Sequence, residues 1–191
     1  MRGHFIIGIL FRPQDTWDEL KDESITFSRV LTNYAVPLAT IPAFFGMCGY
    51  VIVGIRSGFG NVVYRIPFGI AFLWAVIYYI LLLTGLYAVG IAINALTRIF
   101  DSRHDALRAF KVSVFSYTPV FLAGVLYIIP TLGFVVFLIS IYSVYLLYHG
   151  LRIMMETPHE KTVPYLLSTV LVMFVVYMLL GAFASVILTL H

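Results

Sequence analysis

The residues best suited to chemistry in this sequence are tyrosines, one histidine and one asparagine, each set in an apolar run. Tyr142, Tyr145 and His149 recur at i, i+3 and i+7, so a helix puts them on one face. Two readings fit them: interhelical hydrogen bonds with an aromatic belt, or the polar wall of a ligand or lipid-headgroup groove. Tyr117-Thr118-Pro119 forms a second group. A proline inside a helix frees a carbonyl about four residues back, and Ser113, Ser116 and Thr118 are near enough to satisfy it. That kink either serves packing or breaks a helix beside a polar cavity. Asn94 is costly in lipid unless bonded, which directs it toward another helix. The candidate cavity or groove set is therefore Asn94, Tyr117, Thr118, Pro119, Tyr142, Tyr145 and His149.

Catalytic signatures are missing. His159-Glu160-Lys161-Thr162-Val163 starts like a zinc-protease motif, but Val163 stands where the second histidine must face the metal. The sequence has no Gly-x-Ser-x-Gly elbow and no phosphate-cradling GxxxxGK loop. The sequence thus predicts no catalytic residue, no metal site and no cofactor, and a protein that is not an enzyme.

The elements that position these groups follow from charge. Of 191 residues, 61% are hydrophobic, only 11% are charged, and the mean hydropathy is +0.98. A soluble domain of this length cannot hide that excess, so the solvent is lipid. Between Arg29 and Arg56 lie 26 residues without Lys, Arg, Asp or Glu; between Arg65 and Arg98 lie 32, between Lys111 and Arg152 lie 40, and 30 follow Lys161. A spanning helix needs about 20 apolar residues. The 40-residue gap holds two, turned at Ile129-Pro130-Thr131-Leu132-Gly133. The expected fold is all-α, a polytopic bundle of five transmembrane helices near 31–54, 67–97, 112–129, 132–150 and 164–188. It forms one domain over 1–191, with residues 1–30 as a cytosolic or interfacial segment and 31–188 as the bundle. The opening residues Met1 to Pro13 resemble a short signal core without a cleavage site and are read as retained.

Basic residues orient the bundle. With the N-terminus inside and the C-terminus outside, ten Lys and Arg lie inside and two, Arg56 and Arg65, lie outside. The net charge of +3 is thus a topology signal, and no nucleic-acid partner is expected. Cys48 is the lone cysteine and permits no intrachain disulfide. Three capping boxes are expected, at Thr16, Ser102 and Thr157. The helix after Thr16 would place Trp17, Leu20, Ser24, Phe27 and Leu31 on one side and the acidic residues elsewhere. That is an interfacial amphipathic helix capping the bundle, or a docking surface for a basic partner. Near the next inside loop, Leu107 and Phe110 can dip into lipid while Arg103, Arg108 and Lys111 reach phosphates. Trp17, Arg103, Arg108 and Lys111 are the candidate interfacial contacts. Small-xxx-small pairs such as Ala71/Ala75 suit close helix approach, within the bundle or in a homo-oligomer.

Several ordered stretches resemble the Yip domain family of Ypt/Rab-interacting membrane proteins, in its short prokaryotic branch. They are Arg12-Pro13-Gln14-Asp15-Thr16-Trp17 before an acidic helix, Tyr34-Ala35-Val36-Pro37-Leu38, Asn94, Phe115-Ser116-Tyr117-Thr118-Pro119, and Ile141-Tyr142-Ser143 through Tyr148-His149-Gly150-Leu151. The resemblance covers about residues 10 to 185. It implies five spans with a cytosolic N-terminus and a bacterial cytoplasmic (inner) membrane. The Asp-Leu-Tyr-Gly-Pro stretch of eukaryotic members is absent. Two functions are expected from residues and resemblance together. One is non-enzymatic membrane organisation, or interaction with membrane lipids or a membrane or cytosolic protein partner. The other is a passive channel, small-solute carrier or lipid scramblase using a cavity between kinked helices.

Overall fold

The computed structural model describes residues 2–57 and 62–188. The extreme C-terminus, whose side of the membrane the charge count assigns, lies outside them. Two short helices come first, α1 (Arg2–Phe11) and α2 (Pro13–Asp22). Five long apolar helical stretches follow: Phe27–Val53, Phe68–Leu96, Ala106–Ile128, Pro130–Met154 and His159–Val186. Each is long enough to cross a bilayer. A small hairpin pairs β1 (Ile55–Ser57) with β2 (Val62–Tyr64) between the first two spans. The expected all-α, five-helix membrane bundle is what the chain forms.

The third span sits at the centre. In its most apolar stretch 78% of the residues are buried, against 33% in the first and second spans, 22% in the fourth and 6% in the fifth. The second span packs on the first, third and fifth, and the fourth packs on the third, the fifth and α2. Polar side chains bond the helices across this core. Ser113 Oγ donates to Leu86 O at 2.7 Å, and Tyr165 Oη donates to Ile93 O at 2.5 Å.

Proline shapes two spans. The first carries Pro37 and Pro42, and a π turn at Leu31–Ala35 widens the helix just before Pro37. In the third, Pro119 leaves the Phe115 carbonyl without its helical donor. Thr118 Oγ1 donates to that carbonyl at 2.7 Å. With the threonine proton so used, Tyr34 Oη, 2.8 Å from Thr118 Oγ1, must be the donor in that pair. The kink is closed by hydroxyls and fully buried, because Thr118 is 0% exposed.

Several boundaries differ from the sequence reading. The third span starts at Ala106, so Arg108 and Lys111 lie inside its first turns. α2 starts at Pro13 and stops at Asp22, where Glu23 turns to extended backbone, so Phe27 and Leu31 belong to the first span instead. Thr16 is therefore interior, and its hydroxyl donates to Arg12 O instead of capping. At the third span the cap is Asp105, which accepts from Leu107 N at 3.0 Å and Arg108 N at 3.1 Å. Ser102 and Thr157 instead bond each other at 2.9 Å, and Thr157 continues to Leu151 O.

Candidate functional site

The charged end of the bundle is a fixed platform built from α2 and the loops at 97–105 and 155–158. The Asp105 cap turns Arg108 toward Glu156. The Glu156 carboxylate accepts from Lys21 at 3.1 Å, Arg103 at 3.1 Å and Arg108 at 3.0 Å. These bonds, the one from Lys21 first, hold its carboxyl at about 2, well below the ordinary value. Glu156 and Asp101 both take left-handed backbone, at φ 52° and 49°. Such backbone persists in a non-glycine residue when its surroundings fix it. Here Glu156 joins three cations, and Asp101 is ion-paired with Lys161. The loops are also stitched by Arg103 N to Met155 O at 2.8 Å and by Thr97 Oγ1 with His104 Nδ1 at 3.0 Å.

The N-terminal helices are held by side chains of the spans. A helix ends in carbonyls that lack intrahelical donors and carry partial negative charge. Lys111 Nζ donates to Leu20 O at 3.0 Å and Glu23 O at 2.9 Å, at the end of α2. Tyr142 Oη donates to Leu10 O at 2.7 Å, at the end of α1. Trp17 is 0% exposed and lies under the fourth span. A Cβ on Gly150 would come within 3.0 Å of the Trp17 ring, so only glycine admits this approach without a shift. The other side of α2 carries Asp15, Asp18, Glu19 and Asp22, all exposed.

Of the four candidate interfacial residues, Trp17 and Lys111 turn inward. Trp17 is core. Lys111, 3% exposed, is a strut between two helices, its Nζ bonded to two main-chain carbonyls. Arg103 and Arg108 are brought together, but on Glu156. Nothing in the local pattern announced Glu156 as a centre. Its signal was only that it is a carboxylate close to Arg152 and Lys161.

The candidate cavity residues do not converge. Asn94 lines a groove of about 380 Å³ with Phe27, Tyr87, Gly90, Leu107 and Phe110, and its Oδ1 has no hydrogen-bond partner. Tyr117 lines a different groove, between the third, fourth and fifth spans. Thr118 and Pro119 are buried in the closed kink. Tyr142, Tyr145 and His149 do share a face, with ring centroids 5.6 Å and 4.6 Å apart in sequence. Tyr142 is spent on α1, Tyr145 is 45% exposed, and His149 is buried beside it. None of these three lines either groove. Among the described residues, no three His, Cys, Asp or Glu side chains come together as a metal would need.

Comparison with known proteins places this arrangement. The Yip1 domain family model matches residues 7–180. The inner membrane protein YohC of Escherichia coli K12 is 22% identical over 165 residues, covering 85% of this chain and 84% of its own length. YohC of E. coli O6:H1 matches to the same extent. No solved structure matches. The match runs from α1 through most of the fifth span, and the chain is an integral multi-pass membrane protein that belongs to the Yip1 domain family.

Proposed function

We propose that this protein is a non-enzymatic scaffold of a bacterial inner membrane, with its N-terminus and charged platform in the cytosol. The ten-to-two excess of basic residues at that end and the inner-membrane name of its relatives support the placement. The observation that carries the scaffold reading is the clamping of α2. Trp17 and Lys111 fix its apolar side to the bundle, so its acidic side is presented at a set angle. Asp15, Asp18 and Asp22 are exposed and enter no ion pair among the described residues. Anionic lipid headgroups repel such a face, whereas a basic protein segment complements it. The passive-facilitator reading needs one continuous path. The dispersal of Asn94, Tyr117, Tyr145 and His149 over separate surfaces argues for the scaffold.

A photo-crosslinking side chain at Asp18, in native membranes, tests this. The expected result is a discrete protein adduct that weakens with salt and disappears when Asp15 and Asp22 are changed to Lys. Adducts with bulk lipid and random neighbours alone would overturn it.

A further inference from the structure

The groove of about 380 Å³ that holds Asn94 lies at the platform end of the bundle, between the starts of the first and third spans and the end of the second. Tyr87, Gly90, Ile91 and Asn94 line it from one face of the second span. The next position on that face is Arg98. Thr97 keeps helical backbone, at φ −54° and ψ −37°, and Phe100 N still donates to Leu96 O at 3.2 Å, so the face continues through Arg98. Gly90 sets the floor, because a Cβ there would come within 3.2 Å of Phe110 Cα. The Phe27 ring centroid lies 4.4 Å from that of Phe110 and 5.9 Å from that of Tyr87, which makes an aromatic wall. Tyr87 and Ile91 are exposed, so the groove opens sideways toward lipid.

Polar groups enter only toward the platform. Asn94 stands two residues before the end of the second span. Of its amide atoms, Oδ1 is buried without a partner; Nδ2 is not shut away, and it has no bond to the protein among the described residues. Arg98 is exposed and enters no ion pair or hydrogen bond among them. The carboxylates close to it in sequence are engaged, Asp101 with Lys161 and Asp105 as the cap of the third span. An apolar wall, an amide donor and a cation thus follow one another toward the surface. A phospholipid presents its acyl chain, ester carbonyl and phosphate in the same order.

We infer that this groove binds one phospholipid of the leaflet on the platform side. Its chain lies against the Phe27, Tyr87 and Phe110 rings, its ester carbonyl accepts from Asn94 Nδ2, and its phosphodiester meets Arg98. A free phosphate would match Arg98 but leave the wall empty. A diacylglycerol would fill the wall but leave Arg98 unmatched. No residue of α2 lines the groove, and lipid binding is read separately from the Asp18 crosslink, so this inference and the scaffold reading can fail independently.

The test uses the purified full chain, stripped of lipid in mild detergent, with adducts read by native mass spectrometry and Tm by thermal unfolding. Separate arms receive dioleoylphosphatidylglycerol, dioleoylglycerol and glycerol 3-phosphate. The phospholipid alone should give a saturable one-to-one adduct and raise Tm. Asn94→Leu should weaken that adduct roughly threefold to tenfold, and Arg98→Gln about fivefold. Arg152→Gln, an equal charge change at the same end of the bundle but outside the groove, should leave it unchanged. Arg98 has no partner in the free protein, so Arg98→Gln should keep the ligand-free Tm and decides the matter even if Asn94→Leu folds poorly. Four results would overturn the inference: no saturable phospholipid adduct, equal binding of either partial ligand, wild-type affinity in Arg98→Gln, or an equal loss in Arg152→Gln.

Discussion

The third and fifth spans invert the pattern of a soluble protein. The third has the lowest hydropathy of the five, 1.5, and is the most buried; the fifth has the highest, 2.4, and is the least. In water the apolar helix would be inside. In lipid, hydrocarbon outside is as apolar as leucine, so burial offers apolar surface little advantage. What burial offers is hydrogen-bond partners, and polar groups gather where partners exist. Lys111, Ser113 and Thr118 all lie on the third span, and all bond main-chain carbonyls there or on a neighbouring element. The fifth span is tied down near its start by Tyr165 and then presents Leu167, Leu171, Phe174 and Phe183 outward.

Lys111 is the sharpest way to break this contrast. Lys111→Met keeps much of the apolar stem but takes the charged donor from Leu20 O and leaves Glu23 O with only the Ile25 N–H, where α2 meets the bundle. The expected loss is about 3 kcal/mol, since hydrogen bonds from a charged donor are among the stronger ones. Equilibrium unfolding in mild detergent checks it, and proteolysis should cut first between α2 and the first span. A variant as stable as wild type would mean α2 is held by the packing of Trp17 and Leu20 and by the Lys21–Glu156 pair, without help from Lys111.

Thr118→Val follows in size. It strands the carbonyl released by Pro119 and removes the acceptor of Tyr34, both within the core. About 1–2 kcal/mol should be lost, and Tyr34→Phe in the Thr118→Val background should add less than it does alone.

How much of this was legible can be judged from the same residues. The charge-free gaps located all five spans, because an unpaired charge is excluded from hydrocarbon. The same rule misplaced the start of the third span. Lys111 enters it because its partners are carbonyls of residues 20 and 23, far away in sequence and invisible to a local pattern. The hydroxyl rescue at Pro119 was legible because Thr118 is adjacent. The role of Tyr34 in that rescue was not, and neither was the burial of Trp17, which depends on the missing side chain at Gly150. Amphipathic spacing showed which side of α2 is apolar but not what covers it.

Glu156→Gln probes the charged end, where water competes. Its side chain is 40% exposed, so the three ion pairs together should contribute no more than about 1 kcal/mol. The sign with pH is definite. The carboxyl is held at about 2 in the folded protein, below its ordinary value of 4.5. A depressed folded value stabilises above the unfolded value, and that contribution fades as pH falls from about 4.5 toward 2. Wild type should therefore lose stability across that window, and Glu156→Gln should show a flatter acid limb when unfolding is followed against pH.

The smallest effect is expected on the fifth span. Leu171 is 64% exposed, and in the bilayer that exposure is to lipid chains. Leu171→Ala removes contacts that lipid makes in both folded and unfolded states, so the change should stay within about 0.5 kcal/mol. The companion change Leu86→Ala, on the second span facing the core and 1% exposed, leaves a cavity and should cost about 2–4 kcal/mol. The ratio of the two measures what packing is worth once hydrophobic transfer has been removed from the comparison. If Leu171→Ala cost as much as Leu86→Ala, the fifth span would not face lipid in the working protein. A second helix, such as one from another copy, would have to cover it, and cysteine crosslinking at position 171 would then capture that neighbour.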